Sequence, residues 1–344
     1  MRVLKITIAI SVVGIAIFIV YFSLKQNKSN EQTPLSIKER EFIDFDLQKI
    51  SNFEVVGKII RIWRNDKYIW LSDANSSQVL EYEHTGKFKR TYGKAGGAPW
   101  ENGSIWYFNK SNDEYYDYDY SKNSIRKYSI LEDSLLYSYK PESQIGNTIQ
   151  YKNDLFLISE FEKTVSRFSL IDIKTKETVQ EFLIEDLVTN EFGEFPKTNR
   201  NLVFEGEYKS NGNSLVFTCS KFSCFFHLSS EGELRLGRTI DGFNLPRAKN
   251  VDIGNGYTMI GIEPDNLVNY ASTLTENKIL ILSNVVKESQ SKQRIIDIYN
   301  IETLKYENSI ILPNYLDQRP IDLSYSNKEL AILYENYSVV NYAF

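Results

Sequence analysis

The sequence is poor in the side chains that build most metal and redox centres. Its 344 residues include only two cysteines and two histidines. His84 and His227 are far apart in the chain, and Cys219 and Cys224 supply only two of the four ligands that a structural zinc site needs. We therefore expect no zinc centre. Outside the cytoplasm the two cysteines, which flank "SKFS", could form a disulfide across a hairpin turn; two buried thiols are the alternative.

Acidic side chains outnumber basic ones outside the amino terminus. Residues 1–28 hold four basic side chains and no acidic one, which leaves 36 Lys and Arg against 45 Asp and Glu in the remainder. Because phosphates attract a concentrated basic face, we expect no nucleic-acid partner. A phosphate-binding loop at "GKAGG" is also disfavoured, since the Gly-Lys-Ser/Thr ending and a following amphipathic helix pattern are missing.

One apolar run is long enough to cross a membrane. Residues 6–24, "ITIAISVVGIAIFIVYFSL", carry no charge and as a helix would rise roughly 28 Å, about the thickness of a hydrocarbon core. Arg2 and Lys5 precede the run, so residues 1–5 are expected in the cytoplasm. No small-residue cleavage site follows, which favours an uncleaved anchor over a cleaved signal peptide. We thus predict a single-pass cell-membrane protein with a polar linker at 25–40 and a periplasmic domain at 41–344.

The remaining sequence is typical of β structure. Aromatic residues make up 14% of the chain and hydrophobic residues 42%, and many of them are β-branched or aromatic types that suit strands. Six times an Asn-bearing turn leads into an apolar strand, and the spacing of 41 to 66 residues indicates a repeat architecture. These turns lie at Asn65, Asn112, Asn153, Asn211, Asn277 and Asn327.

The strands that follow the turns indicate how the repeats pack. Runs such as "LFLIS" and "KILIL" are apolar throughout, so both faces of each sheet must be covered, as they are between neighbouring blades of a propeller. Each unit continues into a second strand pair, which gives four strands, A to D. The sixth unit lacks strand D, and "REFIDFDLQKI" near residue 45 can supply it. We predict an all-β, six-bladed β-propeller of four-stranded antiparallel blades, closed by an amino-terminal strand and preceded by one transmembrane helix.

One stretch of about 30 residues resembles a known family. "YEHTGKFKRTYGKAGGAPWEN" is similar to a blade motif of the NHL-like and TolB-like six-bladed propellers that are common among exported proteins of Bacteroidota. The matching positions are Gly86, Lys87, Phe88, Gly93, Lys94, Gly96, Pro99 and Glu101. The resemblance implies a propeller in a solvent-exposed setting and carries no common reaction.

Propeller topology places the D-to-A connectors and the B-to-C turns at one end of the ring. That end has the longest loops, at 185–200, 241–256 and 284–294, and long loops on a rigid scaffold commonly carry binding sites. We name as candidate ligand contacts the loop residues Trp100, Glu101, Phe195, Arg247 and Arg319. The alternating tract "EYYDYDYSKN" is expected to pack its tyrosines between blades 1 and 2; a stacking platform for sugars or peptides is the alternative.

These observations favour a membrane-anchored binding or scaffolding module that meets a protein or glycan partner outside the cytoplasm. No catalytic residue is predicted. The alternative is a hydrolase or lyase with a divalent ion on the propeller axis. Calcium would need oxygen ligands, which "NEFGEFPKTNRN" offers at Glu191, Glu194 and Asn199.

Overall fold

The structure is a computed structural model that describes residues 40–98, 100–161, 166–254, 257–263, 265, 267–284 and 294–344. The predicted cytoplasmic end and anchor, and the linker up to residue 39, lie outside these residues. In the part of the chain that is described, no helix is long and apolar enough to cross a membrane.

The described residues form six four-stranded antiparallel sheets and one two-stranded hairpin. After β1 (Lys49–Glu54), the first three sheets follow in sequence order. Blade 1 consists of β2 (Ile59–Arg64), β3 (Tyr68–Asp73), β4 (Gln78–Glu83) and β5 (Phe88–Tyr92). Blade 2 consists of β6 (Ile105–Lys110), β7 (Glu114–Asp119), β8 (Ser124–Ser129) and β9 (Ser134–Tyr139). Blade 3 consists of β10 (Thr148–Lys152), β11 (Leu155–Phe161), β12 (Ser166–Asp172) and β13 (Glu177–Leu183).

Two short helices, α1 (Glu185–Phe192) and α2 (Arg200–Val203), precede blade 4. Blade 4 consists of β14 (Gly206–Ser210), β15 (Leu215–Cys219), β16 (Phe225–Leu228) and β17 (Leu234–Gly237). A separate two-stranded hairpin follows, with β18 (Arg247–Gly254) and β19 (Tyr257–Glu263). Blade 5 consists of β20 (Asn269–Leu274), β21 (Lys278–Ser283), β22 (Ile295–Asn300) and β23 (Tyr306–Ile311). Blade 6 consists of β24 (Pro320–Ser326), β25 (Glu329–Tyr334), β26 (Ser338–Ala343) and β1.

The sheets form a closed ring. The first strand of each blade contacts the first strands of both neighbouring blades, in the cyclic order β2, β6, β10, β14, β20 and β24. These strands therefore surround a central axis, and the six-bladed propeller predicted from the sequence is confirmed.

An amino-terminal strand completes the last blade, as predicted, but it lies later in the chain than expected. Of "REFIDFDLQKI" at 40–50, only Lys49 and Ile50 belong to β1. In blade 6, β1 pairs antiparallel with β26, and Phe53 lies opposite Val339. Gly86, in the turn between β4 and β5, packs against this strand with φ of 87°. A Cβ at Gly86 would lie 2.4 Å from the Cβ of Phe53, so only glycine fits there.

A buried group of ion-paired side chains holds the segment that precedes β1; we call Arg40, Asp241 and Asp297 the latch. The buried Arg40 guanidinium donates two hydrogen bonds of 2.8 Å to the Asp297 carboxylate and a further one to Asp241. Next to it, Phe42 forms a parallel bridge with Ser309 on the outer strand of blade 5. Burial alone would lower the pKa of Arg40, but the hydrogen bonds and charges of Asp297 and Asp241 raise it above its ordinary value. The segment before β1 thus joins the edge of blade 5 to the connector between blades 4 and 5.

The Asn-bearing turns all lie between strands A and B, but they use two kinds of chemistry. Asn153 and Asn327 adopt positive φ angles of 47° and 50°. The Asn65 side-chain oxygen instead accepts hydrogen bonds of 2.9 Å from the backbone of Lys67 and Tyr68, which is an Asx turn.

The second strands are covered on both faces, as their apolar runs predict. In β21, Leu280 and Leu282 belong to the core shared with blade 6. Ile279 and Ile281 belong to the core shared with Phe225 of blade 4. Each blade therefore contributes to two cores, one toward each neighbour.

The tyrosine tract differs from the expectation in two respects. Tyr116 and Tyr118 are buried in the core that blade 2 shares with blade 3, not with blade 1. The intervening carboxylates are buried as well, because Asp117 and Asp119 both face the Arg126 guanidinium at 2.7 and 3.6 Å. Alternation in this strand thus separates an aromatic core from an ionic one rather than from solvent.

Candidate functional site

A cluster of charged side chains crosses the propeller axis. We call Arg61, Glu207, Lys209 and Asp322 the axial cluster. The Lys209 ammonium, in blade 4, donates to the carbonyl of Ile62 in blade 1 at 2.8 Å and to Asp322 in blade 6 at 2.9 Å. Blades 1 and 4 lie on opposite sides of a six-membered ring, so this contact spans the axis.

The other half of the cluster is a second ion pair. The Arg61 guanidinium lies 3.5 Å from the Glu207 carboxylate, which also accepts the backbone N–H of Ser272 at 3.1 Å. Burial, together with the charge of Asp322, raises the pKa of Glu207 to about 7 against the opposing effects of Arg61 and Lys209. A buried carboxyl whose pKa is near 7 can bind or release a proton at physiological pH.

An open cavity of about 720 Å³ lies at the end of the ring that carries the D-to-A connectors. We call this end the upper end and this space the upper cavity. It is bounded by blades 2, 3 and 4 and by the connector that contains α2. Its polar lining consists of Gln144, Asn147, Ser159, Asn199, Asn201 and Glu205, and its aromatic lining of Trp106, Tyr120, Phe161, Phe204 and Phe217.

Two aromatic rings form a wall of the upper cavity. Trp106 and Tyr120 stack with centroids 4.6 Å apart and planes 23° from parallel. Trp106 is held by a 3.0 Å hydrogen bond from its indole N–H to Ser104, and the guanidinium of Arg61 lies 5.7 Å from its ring centroid. Tyr120 remains 38% exposed. The pair is a rigid, accessible surface that is linked through Arg61 to the axial cluster.

Amide groups stand beside this wall. Asn147 donates to the carbonyl of Gly206 at 3.3 Å, and Gln144 donates to the carbonyl of Tyr120 at 3.2 Å. Their positions are therefore fixed by blades 2 and 4 before a ligand arrives. A mixed wall of aromatic rings and oriented amides is typical of sites for polar, ring-containing ligands.

The five candidate contacts named from the sequence are not gathered in one place. Trp100 is 61% exposed and its carbonyl accepts a hydrogen bond from Tyr128 at 3.1 Å. Glu101 accepts the backbone N–H of Ala98 at 2.9 Å within the same loop. Both lie in the connector between blades 1 and 2 and do not line the upper cavity.

The other three candidates lie in different connectors. Phe195 packs against Phe204, which lines the upper cavity, with centroids 5.8 Å apart. Arg247 pairs with Glu194 at 3.3 Å at the exposed base of the β18–β19 hairpin. Arg319 pairs with Glu335 at 2.9 Å in blade 6. The role of all five in binding stays a prediction.

The three residues proposed as calcium ligands, Glu191, Glu194 and Asn199, are not brought together around one point. Glu191 faces Arg238 at 3.8 Å and Glu194 faces Arg247, whereas Asn199 lines the upper cavity. Among the described residues, no group of three or more His, Cys, Asp or Glu side chains is placed to hold a metal ion. On the axis, the carboxylate of Asp322 is already matched by the Lys209 ammonium.

The two cysteines lie where the sequence places them, at the turn between β15 and β16 of blade 4. The Cys219 N–H donates to the Cys224 carbonyl at 3.0 Å, and the structure has both side chains as buried free thiols. Burial raises the pKa of the Cys224 thiol well above its ordinary value. Both cysteines are therefore buried core residues, and the Cys224 thiol stays protonated rather than nucleophilic at neutral pH.

Sequence reasoning missed most of the upper cavity. The signal for Tyr120 was present in the tyrosine tract, where a stacking platform was the minority interpretation. Trp106 lies within strand β6, where the sequence gives no sign that its ring faces a cavity. Asn147 and Asn201 had no local signal, since their positions matter only after blades 2, 3 and 4 are assembled.

Comparison with known proteins supports the fold. The chain is similar to the crystal structure of a putative exported protein from Bacteroides fragilis, with 11% identity, a TM-score of 0.52, and coverage of 88% of this chain and 97% of that one. It is also similar to virginiamycin B lyase from Staphylococcus aureus, with 11% identity, a TM-score of 0.50, and coverage of 88% and 100%. No protein-family model matches the chain, and no curated protein matches it in sequence.

Proposed function

We propose that the protein is a membrane-anchored, extracytoplasmic binding or scaffolding module whose upper cavity receives part of a protein or glycan partner. The observation that carries the proposal is the stacked pair of Trp106 and Tyr120, exposed in a cavity of about 720 Å³ beside oriented amides. A cavity of this size accommodates a short saccharide or a few peptide side chains. The flat face of a sugar ring or of a peptide side chain packs on aromatic rings, while hydroxyl or amide groups bond to Asn147 and Gln144.

The test compares two tryptophan variants that differ in position. Partners captured by the full-length protein, from a glycan array and from a peptide library, are titrated against Trp106→Ala and Trp100→Ala. Loss of affinity of about ten-fold or more is expected for Trp106→Ala, since it removes a buried aromatic contact area. Tyr120→Ala, at a more exposed ring, should act in the same direction without disturbing the core.

The outcomes separate the two candidate surfaces at the upper end. Loss in Trp100→Ala alone would move the site to the connectors named from the sequence. Unchanged binding in all three variants would contradict a site at the stacked pair. Melting temperatures measured in parallel exclude a loss of affinity that arises from unfolding.

The membrane anchor and the sidedness are tested separately. Alkaline extraction should leave the full-length chain in the membrane pellet, whereas deletion of residues 6–24 should release it. Protease added to spheroplasts should digest residues 41–344 only if they are outside the cytoplasm. Digestion only after lysis would place the propeller inside and refute the proposal.

A hydrolase or lyase remains the second candidate, and one observation favours it. Glu207, whose pKa is raised to about 7, lies on the axis beside the Arg61 side chain that contacts the cavity wall, so it could act as a general acid or base. Calorimetric titration with calcium and with zinc tests the ion-dependent form of this candidate. Stoichiometric binding that is lost in Glu207→Gln would favour catalysis on the axis over a purely binding role.

A further inference from the structure

A second cavity lies at the opposite end of the axis. We call it the lower cavity; its volume is about 590 Å³, and it is lined by the first strands of all six blades and by the A-to-B turns of blades 1, 3 and 4. It is separate from the upper cavity, with which it shares no lining residue. The axial cluster lies between the two, since Arg61 contacts the Trp106 wall above and Lys209 lines the lower cavity.

The two cavities differ in charge. The lining of the upper cavity contains one carboxylate, Glu205, and no cation. The lining of the lower cavity contains three cations, Arg64, Lys152 and Lys209, and no carboxylate. The positive lining of the lower cavity is opposite in sign to the net charge of residues 29–344, which carry nine more acidic than basic side chains.

The cations are neutralised to different degrees. Arg64 pairs with Glu329 at 2.7 Å, so it adds little net charge. Lys152 donates to the carbonyl of Ser230 at 3.0 Å. It forms no salt bridge among the described residues, although its charge acts at longer range on the Glu231 carboxylate. The Lys209 ammonium has three N–H donors, and the carbonyl of Ile62 and the carboxylate of Asp322 accept two of them. These contacts use two of its three donors, and Lys209 is also one of the residues that line the lower cavity.

The rest of the lining suits a polar ring. It includes the aromatic residues Trp63, Tyr107, Tyr151 and Tyr325 and the amide residues Asn109 and Gln150. Asn109 donates to the Gln150 side-chain oxygen at 2.7 Å, which ties the neighbouring blades 2 and 3 together and orients both amides. Aromatic faces and oriented amides accommodate a hydroxyl-bearing ring, whereas the lysines select for negative charge.

We propose that the lower cavity binds a small acidic sugar, whose carboxylate or phosphate group lies against Lys209 and is attracted by Lys152 at the mouth. This site is independent of the proposed function of the upper cavity. Its ligand is defined by the shared chemistry of a compact anion on a polyhydroxylated ring.

The experiment is calorimetric titration of the full-length protein with glucuronate, glucose 6-phosphate and glucose. At least one of the two acidic sugars should bind about ten-fold or more tighter than glucose, because charge-assisted hydrogen bonds are roughly twice as strong as neutral ones. The stronger of the two identifies a carboxylate or a phosphate site. Raising salt from about 20 to about 200 mM should weaken binding of the acid, since the screening length shortens to below about 10 Å.

Two variants test the named cations. Lys152→Gln should weaken acidic-sugar binding by about two- to five-fold, which is the range of a solvent-exposed charge interaction. Lys209→Gln should weaken it by about ten-fold or more, as expected for a desolvated donor. Because Lys209 also holds Asp322, its variant is interpreted only if its melting curve remains cooperative; the Lys152 variant is decisive in either case.

Tyr120→Ala, which leaves the contact between Arg61 and Trp106 in place, is the matched control in the upper cavity and should leave acidic-sugar affinity unchanged. The proposal is overturned if glucose binds as tightly as both acidic sugars, or if Lys152→Gln has no effect on their affinity. It is also overturned if neither acidic sugar binds at about 100 μM, which is roughly 100-fold above a dissociation constant of about 1 μM. Loss of acidic-sugar binding in Tyr120→Ala instead would assign the ligand to the upper cavity and would also overturn it.

Discussion

Replacing Arg40 by alanine should lower the free energy of unfolding by about 3 to 5 kcal/mol, because it leaves two buried carboxylates without their cation. The Arg40 side chain is fully buried, and its contacts with Asp297 and Asp241 bridge 257 and 201 residues of sequence. Breaking a buried pair costs more than the pair contributes, since the remaining charges stay desolvated. Lysine should rescue only partly, because it cannot reproduce the two parallel bonds to Asp297.

The effect should depend on pH in a defined direction. Burial already raises the pKa of Asp241 to about 6 in spite of the nearby Arg40. A carboxyl whose folded pKa is above its unfolded value contributes stability at low pH, and this contribution is lost as pH rises through the folded pKa. Without Arg40 the pKa of Asp241 rises further. The loss in free energy of unfolding caused by Arg40→Ala should therefore be larger at pH 8 than at pH 5.

Urea unfolding of the purified full-length chain, followed by tryptophan fluorescence, measures the effect. Arg319→Ala is the control, since Arg319 pairs with Glu335 while both side chains are about one third exposed. That variant should cost under about 1 kcal/mol. If Arg40→Ala costs no more than Arg319→Ala, or if its penalty is the same at both pH values, the latch does not stabilise the ring as argued.

Three further predictions follow from other parts of the ring. Gly86→Ala should lower the free energy of unfolding by more than about 1 kcal/mol, because φ is positive there and the new Cβ would meet Phe53. Gly97→Ala is its control, since no atom lies near the added Cβ, and it should be near neutral in the same thermal melts. Glu207→Gln should flatten the pH dependence of the free energy of unfolding. The raised pKa of Glu207 contributes stability that is fully present below about pH 4.5, and about 3 kcal/mol of it is lost as the pH rises through 7. If the variant shows the same dependence of stability on pH as the parent, the burial of this carboxyl is contradicted. Cys219 and Cys224 should resist alkylation in the native protein and both react after unfolding without reductant; reaction only after reduction would instead establish the disulfide.

The blade count could be read from the sequence because turn chemistry is local. An Asn that caps its own turn, such as Asn65, leaves the same signal in every repeat, and the apolar runs that follow show burial on both faces. The role of β1 was also accessible, since the sixth unit visibly lacked an outer strand.

The insertions and the axial cluster were much harder to predict. The 66 residues between Asn211 and Asn277 are too many for one blade, yet nothing in "NVDIGNGYTMIGIE" distinguished the separate β18–β19 hairpin from a long loop. The contact of Lys209 with Asp322 joins two strands 113 residues apart, and its partner could not be chosen from sequence alone. Such pairs depend on ring geometry, which determines the side chains that reach the axis.

Closure by β1 also sets the order in which the molecule can fold. Asn341 donates to Ser51 across 290 residues of chain, so blade 6 unites the first and last of the described strands. Long-range pairings of this kind raise the contact order and slow folding. Until β26 emerges, the edge of β1 has no native partner, and a nascent chain must keep that edge from aggregating while five sheets assemble.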